Sequence, residues 1–141
     1  MMDSGLMAIF LIIIVVVGAA VLFLISYGRK AGKQLDVEKY RRAWLTIEQQ
    51  LVKSEPSSYQ LVILNADKLL DQALKQRNFR GQTMGDRMKS AGSIWSSANN
   101  VWAAHKLRNR IAHEHEVVVR YDDTRRALAA FKQALKDVGA I

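Results

Sequence analysis

An uninterrupted apolar segment near the N-terminus constrains this chain more than any other feature of its sequence. Residues 6–27 read LMAIFLIIIVVVGAAVLFLISY and contain no charged side chain. As an α-helix the segment would be about 33 Å long, enough to cross the hydrocarbon core of a bilayer. A helix is expected because it satisfies its own backbone hydrogen bonds where no water is present. The preceding residues include Asp3 but no Lys or Arg, which favours an uncleaved anchor over a secretory signal peptide.

Three basic residues follow the apolar segment almost at once, namely Arg29, Lys30 and Lys33. Positive charges beside a membrane helix tend to stay in the cytoplasm. We therefore predict a single-pass protein of the cell membrane, with its N-terminus outside and its C-terminal domain in the cytoplasm. The same cations are candidates for contact with anionic membrane lipid, each worth about 1 kcal/mol near the surface. The alternative is a flank that only stops translocation.

The sequence divides by composition into an anchor, a linker and one domain. We assign residues 1–27 to an N-terminal tail and transmembrane anchor, 28–36 to a basic juxtamembrane linker, and 37–141 to a helical domain. The roughly 114 residues after the anchor suffice for one hydrophobic core but not for two. The absence of cysteine excludes a disulfide framework and thiolate metal sites.

The charge of the domain favours an anionic partner. All 21 Lys and Arg residues follow position 28, together with 12 of the 13 Asp and Glu residues, which gives this part of the chain a net charge of +9. A small domain with this charge is suited to bind RNA, DNA, a nucleotide or an acidic lipid surface. Solubility alone is the other explanation for the charge.

Apolar residues recur at helical spacing through most of the domain, which predicts an all-α antiparallel bundle of four or five helices. The first predicted helix begins at Val37 and ends near Ser54, because Pro56 disfavours helix in the residue before it. The last is expected to be capped by Asp122 or Asp123 and to end at Gly139. The helices between them are predicted at residues 54–78, 83–90 and about 94–112. Residues 116–120 form a short β-rich connection, too isolated to be a sheet.

The predicted helix over residues 94–112 carries polar side chains on the side that a bundle would bury. On a helical wheel, His105, Arg108 and Asn109 fall within the apolar arc, and His113 lies at its edge. A buried guanidinium is costly without a partner, so Arg108 requires a carboxylate, a bound anion or a wet crevice. The acids considered as its partners are Asp67, Asp71 and Glu114.

This stretch resembles the signature of the HEPN superfamily (higher eukaryotes and prokaryotes nucleotide-binding domains). The signature is an Arg followed by a polar residue, often Asn, with a His a few positions later, on a late helix of a small bundle. Arg108, Asn109 and His113 match it, and a looser likeness extends over residues 59–141. The resemblance implies a HEPN-like fold, to which the N-terminal anchor is an addition outside the family's core pattern.

The resemblance also implies a metal-independent endoribonuclease without a cofactor, in which two copies form a homodimer and bring their motifs into one cleft. Arg108 would bind the scissile phosphate and stabilise charge in the transition state. His113 would act as general acid or base on the ribose 2′-hydroxyl or the leaving oxygen. Asn109 would orient this pair or bind the phosphate. Further contacts with RNA phosphate are expected from His105, Lys106 and Arg110, and we also consider an inhibitory protein partner.

Other interpretations of the same stretch stay open. Many HEPN-like domains are non-catalytic, so the alternative is a helical interaction or nucleotide-binding module held at the cytoplasmic face of the membrane. Arg108 and His113 are five residues apart, about 140° around an ideal helix, so they converge only at a helix end or across two copies. A metal site, which we do not predict, would draw its ligands from His105, His113, Glu114, His115 and Glu116.

Overall fold

The computed structural model describes residues 4–28 and 33–141. The chain divides into two compact units, Met1–Gly32 and Lys33–Ile141. The regular structure of the described residues consists of six helices and no strands, which confirms the all-α prediction. The finer HEPN-like assignment stays a prediction.

Helix α1, Ser4–Gly28, accounts for the regular structure of the first unit. Its side chains are exposed from Ser4 to Ile25, and this stretch is long and apolar enough to cross a membrane. The helix therefore agrees with the predicted single anchor, whose orientation stays a prediction. Arg29 and Lys30 lie outside the described residues, whereas Lys33 is exposed at the start of the second unit.

The second unit is a bundle of five helices in which the long helices alternate in direction. Tyr59 and Tyr121, near the starts of α3 and α6, have ring centroids 5.7 Å apart. This is expected when the second and fourth long helices of such a bundle run the same way. The helices are α2 (Val37–Gln50), α3 (Pro56–Gln76), α4 (Met84–Ser90), α5 (Ala98–His113) and α6 (Tyr121–Val138).

Local sequence explains several helix ends. The Asp36 carboxylate accepts a hydrogen bond from the Lys39 backbone N–H at 3.1 Å and caps α2. Pro56 occupies the first turn of α3, where its missing N–H is not needed. Gly139 ends α6 with a left-handed φ of 80°, which confirms the predicted stop.

Three predicted helix ends are wrong by a few residues, and nearby hydrogen bonds explain two of them. α2 ends at Gln50 because the Ser58 hydroxyl engages both the N–H and the C=O of Val52, each at 3.1 Å. α5 begins at Ala98, and the residues before it form turns tied by a bond from Trp95 Nε1 to the Met88 carbonyl at 3.0 Å. The residue that precedes α6 is Arg120, so Asp122 and Asp123 lie in the first turn and do not cap it.

The hydrophobic core is built around α3, which packs against α2, α4, α5 and α6. Its fully buried residues include Val62, Ile63, Leu70 and Leu74, and α6 contributes Phe131. Burying each of these side chains contributes about 1.5–3 kcal/mol. A polar residue on the buried side of α3 therefore has few partners, and the structure shows which ones it uses.

Candidate functional site

Asp67 lies on the buried side of α3, opposite α5, and both of its carboxylate oxygens face cationic or hydrogen-bonding groups. His105 Nδ1 lies 2.7 Å from Asp67 Oδ1, and Arg108 Nε lies 3.2 Å from Asp67 Oδ2. The Asp67 side chain is only 4% exposed. Of the three acids considered from the sequence, Asp67 is thus the partner of Arg108.

Asn109 closes these contacts into a ring. Its Nδ2 lies 3.2 Å from His105 Nε2, and its Oδ1 accepts a hydrogen bond from Arg108 Nη1 at 3.0 Å. We call Asp67, His105, Arg108 and Asn109 the α3–α5 polar ring. The Asn109 amide donates to Nε2, so Nε2 carries no proton and Nδ1–H donates to Asp67. His105 thus uses both ring nitrogens in the ring, one as a donor to Asp67 and the other as an acceptor from Asn109.

The ring leaves part of the Arg108 guanidinium available. The side chain of Arg108 is 34% exposed, whereas those of Asp67 and His105 are buried. Arg108 Nε is buried and lies within ion-pair distance of Asp67, but the geometry is too poor for a hydrogen bond. Nη2 has no protein partner in the described ranges. The guanidinium is therefore held in place and can still bind an anion such as a phosphate.

His113 is not part of this ring. It is the last residue of α5, its side chain is exposed, and within residues 33–141 it makes no hydrogen bond or ion pair. A His in the last turn complements the negative end of the helix dipole. Within one copy, the structure brings Arg108 and Asn109 together but does not join either of them to His113.

The other predicted phosphate contacts are dispersed. His105 is buried inside the ring, and Lys106 is exposed without a partner in the described bundle. Arg110 pairs with Glu114 at 3.4 Å and lines a different cavity. Lys106 is therefore the one of these three that is exposed and unpaired within residues 33–141, but it lies about 160° around α5 from Arg108.

A groove of about 620 Å³ lies between α5 and α6. Alanines of both helices line much of it, and Val118, which is 90% exposed, stands at its edge. The residues of the α3–α5 polar ring and His113 are not among its lining residues. The groove is therefore separate from the candidate site, although α5 contributes to both.

Helix α4 supports the ring from a third side. A Cβ built on Gly85 would lie 4.0 Å from His105 Nε2, so this turn of α4 approaches the imidazole closely. The helix is fixed to α3 by Arg87, whose Nε and Nη2 each lie 2.7 Å from Asp71 Oδ1. Sequence reasoning missed this pair. The sequence signal for this pair is a carboxylate within an otherwise apolar helix stripe. Asp67 and Asp71, four residues apart, both give this signal.

The arrangement offers a held cation and a free imidazole on one helix, which are groups suited to binding and proton transfer. Among the residues that the structure describes, no cluster of three His, Asp or Glu side chains is placed to hold a metal ion. Comparisons with protein-family models, with curated proteins and with solved structures give no match for this chain.

Proposed function

We propose that this protein is a membrane-anchored, HEPN-like endoribonuclease that acts on the cytoplasmic side without a metal. The observation that carries the proposal is the Arg108 guanidinium, fixed by Asp67 and Asn109 with a third of its side chain exposed. An exposed imidazole, His113, follows five residues later at the helix end. The presence of a phosphate-binding cation and a proton-transfer group on one helix supports cleavage of a phosphodiester.

In the proposed reaction the ribose 2′-oxygen attacks phosphorus and the bond from phosphorus to the 5′-oxygen breaks. Arg108 binds the phosphate and stabilises the negative charge that develops on its oxygens. His113 removes the proton from the 2′-hydroxyl or supplies one to the leaving 5′-oxygen. Because the two residues are about 140° apart around α5, the proposal requires a second copy that brings its own His113 or Arg108 across a shared cleft.

Cleavage by the full-length protein in detergent, with a chelator present, tests the proposal. The substrates are labelled RNAs of several sequences, and the variants are His113→Gln and Arg108→Gln. Loss of a positioned acid or base typically lowers a rate by about 10²–10⁴-fold. His115→Gln is the matched control, because His115 is also exposed but lies outside the motif. Cleavage that persists in both motif variants would exclude the site.

A non-catalytic phosphate-binding module is the second candidate. It is favoured by the ion pair between Arg108 and Asp67, which already neutralises the cation, and by the separation of His113 from the ring. In this case RNA or nucleotide binds to the wild-type protein and is not cleaved. Arg108→Gln would then weaken binding, whereas His113→Gln would not.

A further inference from the structure

The positive charge of the helical unit is concentrated in two segments that are far apart in sequence. Residues 33–42 and 75–90 contain nine basic and three acidic side chains, a net charge of +6. The rest of the unit contains ten basic and nine acidic side chains, a net charge of +1. Nearly all of the excess charge therefore lies in about a quarter of the unit.

The fold brings these two segments to one end of the bundle. The 51–55 turn joins α2 to α3, and Asn65 Nδ2 donates to Gln50 Oε1 at 3.1 Å, so the two helices run antiparallel from that turn. The start of α2 and the end of α3 consequently meet at the opposite end. The segment that follows α3 folds back on itself, because the Ser90 hydroxyl donates to the Arg80 carbonyl at 2.6 Å. We call residues 33–42 and 75–90 the linker end.

The acids of the linker end are already engaged by local structure. Asp36 caps α2, Asp86 forms the capping box of α4 with Thr83, and Glu38 pairs with Arg41. Six cations of the linker end have no carboxylate within ion-pair distance in the described ranges. These are Lys33, Lys39, Arg42, Arg77, Arg80 and Lys89. The surface is therefore rich in cations that lack a protein partner.

In the sequence, this surface begins a few residues after the predicted membrane anchor. Residues 29–32, which precede this surface in the sequence, include Arg29 and Lys30. Even a fully extended chain of this length spans less than about 18 Å. At physiological salt, the attraction between a cation and a headgroup phosphate is largely screened beyond about 8–10 Å. Only four residues thus separate the predicted anchor from the linker end in the sequence, which makes lipid headgroups the anionic partner to consider.

We propose that the linker end lies against an anionic lipid surface, with Arg77, Arg80 and Lys89 contacting headgroup phosphates. The opposite end of the bundle then faces away from the membrane. His113 lies toward that far end, because Gln60 at the start of α3 donates to the Val117 carbonyl at 3.0 Å just beyond α5. The surface and its lipid partner do not depend on whether the domain cleaves RNA.

The absence of native cysteine allows a direct test with the full chain in lipid nanodiscs. A fluorophore is attached through Gln82→Cys at the linker end or through Ser54→Cys at the far turn, and energy transfer is measured to a labelled lipid headgroup. We expect more transfer from position 82 than from position 54, and a further increase for position 82 when phosphatidylglycerol is added to phosphatidylcholine. High salt should reverse the increase.

Charge variants then identify the contact residues. Each basic residue near an anionic surface contributes about fivefold to the docking equilibrium. Combining R77Q, R80Q and K89Q should therefore lower the equilibrium constant for docking about 100-fold. The matched control combines R120Q, R125Q and R126Q, which removes three cations elsewhere on the bundle. Circular dichroism checks that both triple variants fold.

Equal transfer from position 82 in neutral and anionic discs would overturn the proposal. Equal losses of energy transfer from position 82 in the two triple variants would also overturn the proposal, because the effect would then reflect net charge alone. If the linker-end variant loses RNA binding in detergent while its lipid-dependent transfer is unchanged, the surface serves RNA and the lipid assignment is wrong.

Discussion

Replacing Asp67 with asparagine tests the α3–α5 polar ring, because the substitution removes one charge and keeps the shape of the side chain. The new carbonyl oxygen can still accept the proton of His105 Nδ1, which lies 2.7 Å from Oδ1. The new NH₂ group would replace Oδ2, which lies 3.2 Å from Arg108 Nε. Asp67→Asn therefore exchanges a charge-assisted contact for two donors that face each other.

The exposure of Arg108 sets the expected magnitude. Removing one partner of a fully buried ion pair costs about 3–5 kcal/mol, whereas a hydrogen bond to a charged group, such as the one from His105 to Asp67, contributes about 1.5–3 kcal/mol. The lower range applies because Arg108 is 34% exposed and its charge can be hydrated after the substitution. We expect the free energy of unfolding to fall by about 2 kcal/mol, or the Tm by about 10 °C.

Urea unfolding of the full chain in detergent measures this change. All three tryptophans lie in the helical unit, so their fluorescence reports its unfolding and not that of the anchor. Glu116→Gln is the control, because Glu116 is exposed and has no partner in the described bundle. A loss below about 0.5 kcal/mol for Asp67→Asn, the range of ordinary surface substitutions, would show that the ring does not hold Arg108.

Three further predictions concern the turns and caps around the site. Gly81→Ala should lower the free energy of unfolding by about 1–3 kcal/mol, because φ is 151° and a Cβ would lie 2.5 Å from Asp86 Cβ. Gly85→Ala, whose nearest contact would be 3.8 Å, is its near-neutral control in the same urea titration. Gly139→Ala should cost about 1–2 kcal/mol by that assay, because its φ of 80° is left-handed. The Thr83 hydroxyl and backbone N–H lower the pKa of the Asp86 carboxyl. Its stabilising contribution is therefore present above the ordinary carboxyl pKa and is lost as pH falls through the lowered value. Asp86→Asn should flatten the dependence of Tm on pH below about pH 4, and an unchanged slope would contradict this account.

Apolar residues at helical spacing, together with Pro and Gly at helix ends, predicted most of the fold. The apolar run at residues 6–27 required a long helix, and Pro56 and Gly139 marked two helix ends. The start of α5 was predicted too early because Ile94 and Trp95 continue the apolar pattern. Their positions are decided by bonds to residues 88 and 91, which no pattern within the helix reveals.

The site was predictable only in part. The wheel indicated that Arg108 needed a partner, but Asp67, Asp71 and Glu114 were equal candidates in sequence. The choice depends on how α3 and α5 pack, which brings Asp67 to Arg108 and leaves Asp71 to Arg87. The ring through His105 and Asn109 depends on the same packing, since Asp67 lies 38 residues from His105. The proposed meeting of Arg108 with His113 depends on a second copy and stays a prediction.

The two-sided use of α5 restricts how this chain can change in length. One side of the helix holds Arg108 and Asn109 against α3, and the other lines the alanine groove with α6. Inserting or deleting one residue at the middle of α5 would turn everything beyond it by about 100° and move the residues of both sides away from their partners. Residues 114–120 contain no helix and tolerate such a change more easily. Insertions and deletions among natural variants should therefore accumulate in 114–120 and be excluded from α5.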